Sequence, residues 1–223
     1  MPNKEKESSI EEIMHILEKH FQYTERTTLN RMKNVAKPDA FKILISCLLS
    51  LRTKDSNTES VSKKLFKVAS TPQEIASMNI KKLEKLIYSS GHYHKKARTL
   101  KHVSKVLLKE YNGKVPNDKE KLMEIKGIGP KTANIVLCFA FGECVLPIDT
   151  HCHRIPNRLG WIKTKMPEQT EKALEILLPK KYWREFNAIF VLFGKTICLP
   201  VSPFCNKCPL KKLCPRIGVE RSR

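Results

Sequence analysis

With 223 residues, 41% of them apolar and 29% charged, the chain can form one large globular domain or two small ones with their own cores. No apolar run approaches the ~20 residues of a membrane span, and the opening MPNKEKESSIEE lacks the apolar stretch and small-residue cleavage site of a signal peptide. Lys and Arg number 42 against 22 Asp and Glu, a net charge of +20; such an excess calls for a polyanionic partner, and nucleic acid comes before an anionic membrane because no basic amphipathic anchor stands out.

In chain order, Ser9-Ile10-Glu11-Glu12 has the pattern of a capping box, and Ile10, Ile13, Met14, Leu17 and Phe21 follow at helical spacing. Residues 22–39 are polar and read as a connection. Phe41 to Leu51 (FKILISCLLSL) is apolar on nearly every side, the mark of a helix at the centre of a core. Arg52-Thr53-Lys54-Asp55 ends it, and a further helix carries Val61, Leu65, Phe66 and Val68. Thr71-Pro72-Gln73-Glu74 starts another helix, and Asn79 caps the next. The loop Ser89 to Lys96 mixes glycine, aromatic and basic residues. A long helix follows to Asn112-Gly113, and Asn117 to Glu120 caps the one after it. No segment keeps period-two alternation, so the chain is expected to be all-α.

The stretch Leu122 to His151 organises the rest. Lys126-Gly127-Ile128-Gly129-Pro130-Lys131 predicts a helix through Ile125, a hairpin at Lys126 to Gly129 and a second helix from Pro130. Glycine permits positive φ and close backbone approach, while proline costs little at a helix start. Backbone N–H groups at such a hairpin can point at a phosphate. Asp149 follows Lys131 by eighteen residues and is placed to cap the helix that carries His151. An amine and a carboxylate so arranged suggest a nucleophile and its assistant. Taken alone, a lysine at this junction is more often a phosphate contact, and the aspartate could be only a cap. Pro156 should kink or shorten the helix after Asp149. His151 and His153, two apart, share no helix face and make no metal pair. Helices from Glu168 to Leu178 and from Tyr182 to Phe193 complete the helical part.

Of eight cysteines, Cys47 and Cys138 sit in apolar runs as small core residues, and Cys144 and Cys152 are scattered. Cys198, Cys205, Cys208 and Cys214 instead form C-x6-C-x2-C-x5-C. Without a secretion signal, metal binding is the better reading than disulfides. On spacing alone, zinc and an iron–sulfur cluster both stay open. Lys207, Lys211, Lys212 and Arg216 around the ligands would present positive charge to phosphate.

The hairpin with Lys131, Asp149 beyond it and the cysteine spacing together resemble endonuclease III, of the helix–hairpin–helix–GPD superfamily of DNA glycosylases. The resemblance runs from about Phe41 through Cys214. It implies two helical domains with a DNA-binding cleft between them: a six-helix barrel with the helix–hairpin–helix, residues 33–143, and a [4Fe-4S] cluster domain of residues 1–32 and 144–223. It implies Lys131 and Asp149 as catalytic residues, Cys198, Cys205, Cys208 and Cys214 as cluster ligands, and Lys126, Gly127, Ile128 and Gly129 as the backbone grip, with His151 a further DNA contact. Arg52 stands where a glutamine commonly fills the gap in the duplex, and His92 where an apolar wedge often enters the stack; both are expected to contact DNA.

The implied activity is that of a bifunctional glycosylase and AP lyase. It would act as a monomer on double-stranded DNA containing oxidised pyrimidines or abasic sites. The expected setting is the nucleoid of a microbial cytoplasm, away from membranes. A monofunctional mismatch glycosylase of the same fold is the nearest alternative, against which Lys131 argues; a non-catalytic DNA-binding module is the other.

Overall fold

The computed structural model describes residues 4–21, 39–51, 53 and 55–223, with side chains at 4–8, 55 and 56 outside the description. Among the described residues the regular structure is all helical, as the sequence predicts. The chain divides into two compact units, one of Thr28–Glu143 and one of Met1–Thr27 with Cys144–Arg223.

The first unit is built on Ala40–Ser50 (α2). Phe41 and every residue from Ile43 to Leu49 are buried there, the consequence of its nearly continuous apolar sequence. Around it run Asp55–Val68 (α3), Pro72–Ser77 (α4), Ile80–Leu86 (α5), Tyr93–Glu110 (α6), Lys119–Glu124 (α7) and Pro130–Val136 (α8). Local signals set most of the starts. Thr71 and Glu74 form the full capping box of α4, and Asn79 accepts from the Lys81 N–H at the start of α5. The cap of α7 is Asp118, which accepts from the Lys121 N–H at 2.8 Å, rather than Asn117, whose amide donates to Glu143. One wide turn, Leu137–Phe141, extends α8 before Gly142 ends it at φ 76°. Such π-type turns are frequent at functional sites.

The second unit pairs Lys4–Phe21 (α1) with Thr150–Arg158 (α9), Pro167–Leu177 (α10) and Trp183–Thr196 (α11). Its core joins Ile10, Met14 and Leu17 of α1 to Ile155, Phe186, Phe190 and Phe193. Helix α1 begins five residues before Ser9, so the Ser9 box lies inside a helix already formed. The preceding Lys-Glu-Lys-Glu run consists of good helix formers and carries the helix back past the box. Pro156 falls inside α9, which ends two residues later at Arg158.

Candidate functional site

In the Thr28–Glu143 unit the hairpin forms where the sequence places it. Helix α7 ends at Glu124 with Ile125 as its extended C-cap, the Ile128 N–H returns to the Ile125 carbonyl at 3.0 Å, and α8 opens with Pro130 in its first turn. Lys126, Gly127 and Gly129 are exposed, while Ile128 is buried and anchors the turn. The two glycines answer different demands. Gly127 sits at φ 107°, and a Cβ there would lie 2.7 Å from Thr99 Cγ2 on α6, so the fold itself requires it. Gly129 has ordinary extended backbone and nothing within 4 Å of a Cβ, so no intramolecular contact explains it. What its missing side chain leaves open is approach from outside.

Lys131 lies exposed in the first turn of α8. Its positive charge reaches Cys47 of α2, where it lowers the thiol pKa against a larger effect of burial, which pushes that thiol up to about 12. His92 is exposed at the N-cap of α6, in the left-handed region at φ 57°. Arg52 lies outside the described residues, but its neighbour Thr53 is held. The Lys96 amine donates to the Leu49 carbonyl and the Thr53 hydroxyl, each at 2.6 Å. Burial pushes the Lys96 amine down to about 8. Lys96 therefore ties α6 to the end of α2 and to Thr53. Its sequence, a lysine among basic neighbours, carries no sign of this.

In the other unit, Asp149 caps α9 as expected. One carboxylate oxygen accepts from the His151 and Cys152 N–H groups, both at 2.9 Å. The preceding Leu146-Pro147-Ile148 is buried, and the buried Asn187 amide donates to the Pro147 carbonyl at 2.8 Å. Arg154, one turn further on, donates to His151 Nδ1 at 3.1 Å and to the Cys198 carbonyl at 2.7 Å. Its half-buried guanidinium also feels the Asp149 charge, although burial is the largest influence and lowers its pKa. Because Nδ1 accepts, the neutral His151 ring keeps its proton on Nε2. Gly194 of α11 lies against this histidine, and a Cβ there would stand 2.7 Å from its Cγ. His153, by contrast, turns to the Thr170 hydroxyl at 2.6 Å.

Cys198, Cys205, Cys208 and Cys214 all line one hollow with Ile155, Leu159, Phe193 and Leu210. No three His, Cys, Asp or Glu side chains among the described residues close on a point as a single ion would need. What the four positions offer is thiols around one apolar hollow, with N–H donors at two of the sulfurs. The Arg158 guanidinium lies 3.4 Å from Cys198 Sγ, and the Arg216 N–H lies 3.4 Å from Cys214 Sγ. Arg158 is only 8% exposed and has no carboxylate partner among the described residues. It is held by the Leu199 and Pro200 carbonyls at 2.6 and 2.7 Å. A buried cation beside thiols suits a centre that gathers thiolate charge. Burial, then the neighbouring thiolates, push the Cys208 thiol up to about 11, and burial raises Cys214 as well. Lys207, Lys211 and Lys212 on the loop are exposed.

The Arg154, Arg158, Asn187 and Gly194 contacts were not legible in the sequence. The only signals are two arginines four apart after Asp149, on one helix face, and a glycine inside a helix, which marks a close approach.

Comparison with known proteins agrees with this architecture. Residues 45–180 match the family described as HhH-GPD superfamily base excision DNA repair protein. The chain is 48% identical to endonuclease III of Thermotoga maritima, over 82% of this chain and 85% of that one. It is 34% identical to endonuclease III of Bacillus subtilis, over 82% and 84%. A solved structure of a trapped endonuclease III–DNA covalent intermediate superposes with a TM-score of 0.83 at 32% identity, covering 94% of this chain and 96% of that one. A thermostable thymine-DNA glycosylase superposes at 0.81 with 25% identity, covering 94% and 96%. The chain belongs to the HhH-GPD superfamily and is a base-excision DNA glycosylase and lyase. Within that class it is of the endonuclease III type.

Proposed function

We propose that the chain removes oxidised pyrimidines from duplex DNA and then cuts the strand 3′ to the resulting abasic site. The observation that carries this is Lys131 in the first turn of α8, directly behind a hairpin whose Gly129 no internal contact requires. Lys126, Gly127 and Gly129 hold the phosphate backbone through N–H groups, with buried Ile128 anchoring the turn that presents them, a contact that positions DNA without reading its sequence. The target nucleotide is extruded from the stack. The neutral Lys131 amine attacks C1′, the bond from C1′ to the base breaks, and the base leaves with a proton. The sugar ring opens to a Schiff base on Lys131. Loss of a C2′ proton then expels the 3′ phosphate, and water releases the lysine. Asp149 takes the proton from the attacking amine or steadies positive charge on the sugar.

Cys198, Cys205, Cys208 and Cys214 are the residues that would hold a [4Fe-4S] cluster, with Arg158 and the Arg216 N–H placed to stabilise its sulfurs. When bound, such a cluster pins the Cys198–Cys214 loop and its lysines. His151, together with Arg52 and His92 against the unpaired bases, completes the DNA contacts. The enzyme works as a monomer on damaged or abasic duplex DNA of a microbial nucleoid. The likeness to endonuclease III–DNA complexes supports the DNA partner.

Duplexes carrying either thymine glycol or a mismatched thymine, assayed at one salt concentration, test the reading. Excision of the oxidised base with strand cleavage ending in a 3′ unsaturated aldehyde is expected. Excision of the mismatched thymine without strand cleavage would replace it by the monofunctional alternative.

A further inference from the structure

Away from the hairpin, helices α3 and α5 carry the same short pattern. On α3 it is Lys64-x-x-Lys67-Val68, and on α5 it is Lys82-x-x-Lys85-Leu86. Residues at i, i+3 and i+4 share a helix face. The two faces line one open groove, which Tyr88 and Ser89 complete. The four lysines are all exposed, and none is paired with a carboxylate among the described residues. The nearest acid in sequence, Glu84, is buried and bonded to His94 Nδ1 at 2.9 Å.

The floor is as unusual as the walls. Tyr88 is 68% exposed and Val68 45%. Tyr88 is held by contact with Tyr93 at a centroid distance of 5.0 Å, and Tyr93 in turn packs on His94 at 4.0 Å. This ladder fixes an aromatic ring with a face open to solvent, at the foot of the helix that His92 caps. A duplex would meet such a groove with phosphates alone and leave the ring and the apolar floor unused. A single strand offers phosphates and base faces together, which is the combination that stacking platforms in basic grooves take.

From these paired lysine rows and the Tyr88 ring, we propose that the groove binds single-stranded DNA, with bases against Tyr88 and phosphates on Lys64, Lys67, Lys82 and Lys85. It is a second nucleic-acid site, separate from the lesion machinery, and its biological sense rests on the DNA-repair reading above. An unpaired segment beside a damaged or incised strand is the natural occupant.

The test uses the full chain and an undamaged oligothymidine of about 12 nucleotides bearing 5-iododeoxyuridine. Irradiation should crosslink it to the peptide containing Tyr88. Tyr88→Ala should abolish that crosslink and weaken total binding about tenfold. Changing all four lysines to Gln should lower the salt slope of binding by about 2–3. Both variants should trap on a short abasic duplex with borohydride to within about twofold of the parent, since only exposed side chains are altered.

Unchanged binding and salt slope in both variants would overturn the proposal, as would a crosslink confined to other peptides. So would competition by undamaged duplex, or by polyglutamate, as effective as by the single strand. A variant that lost trapping would merge the groove with the lesion site and refute its separateness. Failure of the parent chain to trap abasic DNA refutes the lyase reading instead, and the crosslink reads out independently of it.

Discussion

Replacing Gly194 with Ala sets two opposed effects against each other. Alanine inside a helix is better than glycine by roughly 0.5–1 kcal/mol, because glycine loses more freedom on folding. At this position the added methyl would stand 2.7 Å from Cγ and 2.9 Å from Cβ of His151. Those are the root of the side chain, so no rotation of a distant tip relieves the clash. His151 is also bonded to Arg154, and its N–H is one of the two that Asp149 accepts. Overpacking of this kind costs about 1–3 kcal/mol, so the clash outweighs the propensity gain. A net loss of about 1–2 kcal/mol lowers Tm by roughly 2–8 °C for a chain of this size, and strand cleavage at abasic sites falls because the Asp149 cap is displaced. In a His151→Ala background the contacts to the ring are gone and only the approach to Cβ at 2.9 Å remains, so the same change should cost about 1 kcal/mol less than in the parent. Thermal unfolding of the four proteins, with cleavage rates for each, closes the cycle. Gly194→Ala matching or exceeding the parent in stability would refute the reasoning, as would a cost undiminished by removal of the His151 ring.

The observed cap and the proposed catalytic role of Asp149 can be separated by chemistry. Asn caps a helix nearly as well as Asp, so Asp149→Asn should change stability by less than about 0.5 kcal/mol yet slow cleavage by about 100-fold or more; full activity in the Asn variant would leave only the cap. Gly129→Ala should fold as the parent does but bind duplex DNA about tenfold more weakly, because a methyl there holds the phosphate off the N–H groups; fluorescence anisotropy measures it, and unchanged affinity would remove the hairpin from the interface. Lys96 predicts a pH dependence. Its amine sits at about 8 in the folded chain against 10.5 unfolded. Between those values the unfolded chain holds a proton that the folded chain has released, so stability should rise with pH across that window and be flat in this respect below it. Urea unfolding of the parent and of Lys96→Gln tests this; an identical pH profile for the two would contradict it.

What the sequence made legible was local. Thr71 with Glu74, Asn79 and Asp149 each cap the helix they precede, because a cap is made within three residues. The hairpin was legible because a glycine at positive φ and a proline at a helix start leave their marks in adjacent letters. Ser9 misled because the same pattern also occurs inside a longer helix. The missed contacts are long-range. Lys96 bonds across 47 residues to Leu49, and Arg158 across 41 to Leu199. Each is one unremarkable basic residue in a chain with 42 of them. Their partners are backbone carbonyls, which any sequence supplies. The spacing of the four cysteines left the type of centre open, and the apolar hollow they line and the buried Arg158 beside Cys198 Sγ are what support the proposed cluster.

The central claim is that Lys131 is the nucleophile, and trapping with borohydride on an abasic duplex tests it most directly. The parent chain should form a covalent DNA adduct that peptide mapping places on Lys131, and Lys131→Ala should form none while binding the duplex to within about twofold of the parent. No adduct from the parent, or an adduct that survives in Lys131→Ala on another amine, would contradict the account.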